Sequence, residues 1–170
     1  SDHGEGGGRH EKVGKWTPYE ESARVPFIVS WPGHVPSGTR DDRRLVSGLD
    51  VVPTLCDFAG VAPPQDVRGR SLRPLLEGRD APWRDYLVYE LLVTGRAVHS
   101  RDFKYVEYEG DPVRQLFDLR NDPWETENLY EQEAWSDVVA QHQDMLARWR
   151  DSMTPCEPPP EMGYWQPERS

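Results

Sequence analysis

Apolar positions in this chain fall into three kinds of pattern, and each predicts a different element. Phe27-Ile28-Val29-Ser30-Trp31 is a nearly continuous apolar run between Pro26 and Pro32-Gly33, the pattern of a strand buried on both faces of a sheet. No comparably buried strand follows it, so its pairing partners are expected upstream of residue 1. Val51, Val52, Leu55, Cys56 and Phe58 line a helix that Asp50 can cap and Gly60 ends, with Pro53 tolerated in the first turn. Cys56 reads there as a small core residue.

From Tyr86 the period changes to that of strands. Tyr86–Leu92, Ala97–Ser100, Phe103–Tyr108 and Gln115–Leu119 are short aromatic and β-branched segments separated by Thr94-Gly95, Arg101-Asp102 and Glu109-Gly110-Asp111-Pro112. Connections that short predict an antiparallel meander of four strands. From about Ser136, a good N-cap, Val138, His142, Met145, Leu146, Trp149 and Met153 recur at helical spacing and predict a helix lying on one face of that sheet. His142 on this stripe reads as a packed core histidine, since no carboxylate or thiolate stands at a matching position on the face.

The intervening segments are polar or rich in glycine and proline. Residues 1–15 read as a loop, because Gly6-Gly7-Gly8 is entropically costly in a helix and permits close backbone approach. Glu20 to Ala23 can hold one helical turn before Pro26 forces extension. Pro32 to Arg44 is a loop, and Ser71 to Leu76 is a second short turn ended at Gly78. Residues 154–170 carry five prolines and predict an extended tail that Tyr164 and Trp165 pin to the body.

Composition narrows the function classes. Sixteen prolines, fourteen glycines and 36% apolar residues make the chain loop-rich and argue against a compact helical bundle. A formal charge of −10 repels a phosphate backbone, so nucleic acid is not an expected partner. Cys56 and Cys156 lack the spacing of a zinc site or a disulfide framework. No apolar run approaches the ~20 residues of a membrane span, and no transmembrane segment is expected. Localisation is not legible, because any signal peptide would lie upstream.

The candidate chemistry sits at the front. Asp2 offers a hard oxygen ligand and His3 an imidazole nitrogen, but two ligands do not fill a coordination shell. Lys15 follows across flexible glycines, close enough for the loop to fold its ammonium back towards the same ligand. There it would stabilise charge developing on an oxyanion. Taken alone, an Asp and a His in a turn before glycines, and a solvated surface lysine, are the better readings of these residues.

The wider pattern resembles the second half of the sulfatase family within the alkaline phosphatase superfamily. The resemblance is carried by Ser1-Asp2-His3-Gly4, His10, Lys15 and the run Tyr19-Glu20-Glu21-Ser22-Ala23-Arg24-Val25-Pro26-Phe27-Ile28. It continues through Ser47-Gly48-Leu49-Asp50-Val51-Val52-Pro53-Thr54-Leu55, Gly69-Arg70-Ser71-Leu72, Leu116-Phe117-Asp118-Leu119, Asp122-Pro123-Trp124-Glu125 and Asn128-Leu129. Those segments cover residues 1–130 in order. The terminal helix is less distinctive, and the tail matches nothing in the family.

The resemblance implies an α/β fold, α+β for this piece alone. Residues 1–80 would be the end of a large sulfatase-type α/β sheet domain. Residues 81–153 would form a small four-stranded antiparallel sheet with a packed C-terminal helix, and 154–170 the proline-rich tail. It implies that Asp2 and His3 bind a divalent metal, calcium in most sulfatases and Mn2+ or Mg2+ as alternatives. Lys15 would be the catalytic residue that contacts the sulfate, and His10 a substrate contact. The family's nucleophile, a formylglycine made in a C/S-x-P-x-R motif, would belong to an upstream part; Cys156-Glu157-Pro158 lacks the arginine and lies in the tail. The implied activity is hydrolysis of a sulfate-ester small molecule or glycan by the whole enzyme, with these 170 residues inactive alone and prone to self-association. A phosphonate monoester or phosphodiester hydrolase of the same superfamily, and a noncatalytic binding or assembly module, are the alternatives.

Overall fold

Four short strands alternate residues between two faces, and both faces are covered. The computed structural model describes residues 1–12, 14–91 and 95–153. In it β1 (Tyr86–Leu91), β2 (Gly95–Ser100), β3 (Phe103–Tyr108) and β4 (Arg114–Asp118) form one sheet in sequence order. Every neighbour is antiparallel, as the short connections predict. The connection at 92–94 lies outside the described residues. β2 begins two residues earlier than the apolar pattern implies, at Gly95, where a Cβ would meet the Tyr108 ring at 2.7 Å. The missing side chain lets that ring lie across the strand.

Register places Val98 opposite Tyr105 and Tyr105 opposite Leu116. These three make one face, which packs against α4 (Ser136–Asp151) through Val139, Met145 and Leu146. The helix forms where predicted, with two corrections. Ser136 is its first residue and does not cap it, because a 3-10 turn over Glu133–Trp135 runs straight into the helix. Val139, absent from the predicted stripe, is buried on the sheet side. His142 is the expected core histidine: Nδ1 pairs with the Val138 carbonyl at 2.8 Å and Nε2 with the Ser100 hydroxyl at 2.9 Å. Burial pushes its imidazole below its ordinary pKa.

The opposite face carries Ala97, Val106 and Phe117 with Tyr19, Tyr89, Tyr108 and Leu119 around them. Here the cover comes from the front of the chain, around α1 (Glu20–Ala23), rather than from a neighbouring helix in sequence.

α2 (Val51–Ala59) and α3 (Arg73–Leu76) both form where expected, and Gly60 ends α2 with φ 69°. The cap differs from expectation. Asp50 closes a 3-10 turn over Gly48–Asp50 instead, accepting the Ser47 amide at 2.9 Å and the Arg70 amide at 2.8 Å. Arg84 donates to both of its carboxylate oxygens, at 2.7 and 2.5 Å. Burial pushes the Asp50 carboxyl up, but these donors outweigh it and hold the pKa below its ordinary value. The apolar residues of α2 are more exposed than a core stripe, with Leu55 64% exposed, and Cys56 is half-buried rather than a core residue. Phe27–Trp31 joins no strand ladder among the described residues, and Ile28 is 87% exposed.

Candidate active site

The loop before Lys15 folds back on itself with glycine at two of its closest backbone approaches. Gly4 donates its amide to the Ser22 carbonyl at 2.9 Å, and Gly6 to Gly14 at 3.0 Å. A Cβ on Gly4 would lie 1.9 Å from the Glu21 carbonyl oxygen, and one on Gly6 2.9 Å from that of Gly14. The loop thereby returns Lys15 to His3, and Lys15 Nζ stands 2.8 Å from His3 Nε2.

The tautomer of His3 follows from its other contact. Nδ1 lies 2.8 Å from the Gly4 carbonyl, which can only accept, so Nδ1 carries the proton and Nε2 presents a lone pair. The Lys15 ammonium donates to that lone pair. Asp2 Oδ2 lies 3.4 Å from the same nitrogen. Hydrogen bonds from the backbone amides of Asp2 and His3, chiefly, hold the Asp2 carboxyl below its ordinary pKa. Three of the four residues singled out from sequence therefore meet in one corner.

His10 does not join that corner. It stacks on Tyr19 with ring centroids 3.7 Å apart, in a left-handed backbone conformation at φ 52°. With Arg9, Trp124 and Thr126 it lines an open concavity. Arg9 lies over the Trp124 ring at 3.7 Å and pairs with Glu21 at 2.9 Å.

Sequence reasoning missed the cluster beneath the loop. Lys104 is wholly buried, and its Nζ meets the Pro18 carbonyl at 2.9 Å and the Glu20 and Glu125 carboxylates at 2.7 Å each. Glu125 also accepts the Glu20 amide at 2.6 Å, and His99 lies 3.2 Å from Glu20. The Tyr89 hydroxyl donates to Pro18 at 2.8 Å. Burial pushes both carboxyls up. For Glu20 the His99 hydrogen bond and the Lys104 charge more than offset burial and bring it to about 2. For Glu125 burial prevails over Lys104, so its pKa is raised. The signal was present in the alternation: Lys104 shares the parity of Val106 in β3 and so had to point inward.

The corner supplies one carboxylate oxygen and one imidazole nitrogen with its tautomer fixed by a carbonyl, a donor set that suits a divalent cation. Among the described residues no group of three or more His, Cys, Asp or Glu could hold a metal ion, so the remaining ligands would have to come from elsewhere. No described helix is long and apolar enough to cross a membrane.

This sheet, its helix and the Asp-His-Gly loop are of the sulfatase class of the alkaline phosphatase superfamily. Within that class the chain belongs to the family described as N-sulphoglucosamine sulphohydrolase, C-terminal, which it matches over residues 8–152. It is 36% identical over 156 residues to a Delta 4,5-hexuronate-2-O-sulfatase of Bacteroides thetaiotaomicron, covering 86% of this chain and 32% of that protein. Its structure is similar to that of a 2-O GAG sulfatase, with a TM-score of 0.79 and 33% identity over 88% of this chain and 34% of the other. It is also similar to the phosphonate monoester hydrolase of Agrobacterium radiobacter, with a TM-score of 0.77, 29% identity and coverage of 89% and 34%. The chain thus spans about a third of the length of the proteins it matches.

Proposed function

We propose that these residues are the C-terminal part of a sulfate-ester hydrolase, in which Asp2 and His3 bind a divalent cation, Ca2+ in the first instance, and Lys15 binds the sulfate group. The observation that carries this reading is the contact between Lys15 Nζ and a His3 ring whose Nδ1 is committed to the Gly4 carbonyl. His3 Nε2 has one lone pair, which serves either Lys15 or a cation. With that lone pair taken, the Lys15 ammonium is released as a donor beside the cation site. From there it hydrogen-bonds a sulfate oxygen and stabilises the negative charge that grows on it during displacement, an electrostatic role.

When bound, the cation would polarise the sulfuryl oxygens, and the family's upstream formylglycine would supply the nucleophile. No C/S-x-P-x-R motif occurs in these residues, and the 170-residue chain alone should show no turnover. His10 is a candidate contact for the non-reacting part of the substrate, since it lines the concavity beside Trp124. Likeness to a hexuronate-2-O-sulfatase and a 2-O GAG sulfatase favours a sulfated glycan as substrate.

The test is turnover of an aryl sulfate and an aryl phosphodiester by the full-length protein, its Lys15→Ala variant and its His3→Ala variant. Sulfate turnover that collapses in both variants supports the reading. Preferential turnover of the phosphodiester would instead select the phosphonate monoester hydrolase reading, which the Agrobacterium radiobacter enzyme favours. A full-length protein without either activity would leave a noncatalytic module.

A further inference from the structure

We infer that Glu125 is a positioning residue for the His3–Lys15 corner, acting from the C-terminal sheet through Lys104 and Glu20. This inference rests on the proposed cation site at Asp2 and His3 and adds what holds it in shape.

An unbroken series of short contacts runs between the two places. Glu125 accepts the Glu20 amide at 2.6 Å and meets Lys104 at 2.7 Å. Lys104 in turn meets the Glu20 carboxylate at 2.7 Å and donates to the Pro18 carbonyl at 2.9 Å. Both contacts fix the backbone at the start of α1. Two residues later the Ser22 carbonyl receives the Gly4 amide at 2.9 Å, and the Gly4 carbonyl receives His3 Nδ1 at 2.8 Å. The tautomer and aim of His3 are therefore set by the backbone of α1, and α1 is held by two side chains of the sheet region.

The chemistry of the cluster fits a device for fixing geometry. Lys104 is wholly buried, and a buried ammonium is tolerated only where carboxylates and carbonyls surround it closely. A small displacement of α1 would open those contacts, so the cluster resists such motion. Glu125 itself stands at φ 56°, an uncommon conformation for a residue with a side chain. Asp122 holds that turn by accepting the amides of Thr126 and Glu127 at 2.7 and 2.9 Å. The backbone around Glu125 is thus fixed independently of the cluster it serves.

The test uses the full-length protein with Glu125→Ala, Glu125→Gln and Tyr89→Phe. The alanine change removes the acceptor for the Glu20 amide, whereas glutamine keeps it. The tyrosine change removes only the bond to Pro18, and it serves in place of Glu125→Ala if that variant does not fold. Two quantities are read well below each variant's unfolding temperature: the Ca2+ dissociation constant by calorimetry, and the 15N imidazole shifts of His3 in metal-free protein.

Glu125→Ala is expected to weaken Ca2+ binding about tenfold, as loss of an outer-shell support does, and to mix the His3 tautomers. Glu125→Gln should restore both towards wild type, and Tyr89→Phe should move both slightly in the direction of Glu125→Ala. A Glu125→Ala protein with a lower melting temperature but wild-type Ca2+ affinity and His3 shifts would overturn the inference, leaving Glu125 merely structural. If wild type itself binds no Ca2+, the cation site fails, and the His3 shifts still decide whether Glu125 positions the ring.

Discussion

Arg84 meets Asp50 with both terminal nitrogens, at 2.7 and 2.5 Å, and so ties the segment entering β1 to the turn that starts α2. The Asp50 carboxylate is inaccessible to solvent, so its charge depends on that partner. Arg84→Ala should destabilise the protein by about 3–5 kcal/mol, the usual cost of stranding one member of a buried pair. Urea unfolding of the full-length protein measures this. A loss below about 1 kcal/mol, typical of an exposed pair, would contradict it.

Glu20 gives the acid limb of the stability curve. Its carboxyl is lowered from an ordinary 4.5 to about 2, so the folded state binds its proton less readily than the unfolded state. Its contribution is fully present above pH 4.5 and is lost as pH falls from there to about 2. The raised carboxyl of Glu125 works in the opposite sense, since its ionisation disfavours the folded state as pH rises. Urea midpoints between pH 6 and 2 should therefore converge for wild type and Glu20→Gln at the acid end. Parallel curves would remove Glu20 from the account.

Gly4 has no room for a side chain. Gly4→Ala would place a methyl 1.9 Å from the Glu21 carbonyl oxygen, which forces the loop off α1 and breaks the hydrogen bond from the residue 4 amide to the Ser22 carbonyl. Loss of Lys15-dependent turnover should accompany a modest fall in stability of about 1–3 kcal/mol. Hydrogen exchange at residue 4 checks the mechanism, because protection there should vanish in the variant.

Exposed apolar side chains at Ile28 and Leu55 should make the 170-residue chain self-associate when produced alone, since unpaired extended backbone and apolar surface seek cover. Size-exclusion chromatography should show an assembly, and Ile28→Asp should shift it towards monomer. A wild-type monomer with protected amides across residues 27–31 would sink this expectation.

The small sheet and α4 were legible because their patterns are local: alternation over five or six residues and a stripe at helical spacing need no distant partner. The capping roles were not. Asp50 looks like a helix cap until Arg84 and Arg70 appear across the fold, and Ser136 looks like one until the preceding turn is seen to be helical. In the corner, Asp2, His3 and Lys15 were legible as residue types in a motif, but their meeting depends on Gly4 and Gly6 closing the loop. The Lys104 cluster required the parity of β3 to be combined with contacts to residues 18, 20 and 125, which no single stretch of sequence displays. His10 was read as a substrate contact at the pocket rim; its ring stacks on Tyr19 and lines the concavity beside Trp124, apart from the corner.

The front of the chain seals one face of a sheet formed from residues that come far later. That arrangement makes the sheet impossible to excise cleanly: cutting ahead of Tyr86 would remove Pro18 and Glu20 and strand the Lys104 ammonium beside Glu125 alone. It also imposes an order of assembly. The meander and α4 can form from near neighbours, whereas the loop bearing Asp2, His3 and Lys15 has nothing to rest on until β3 is in place. The chemistry-bearing loop precedes the sheet in sequence, yet it takes its seat on the sheet.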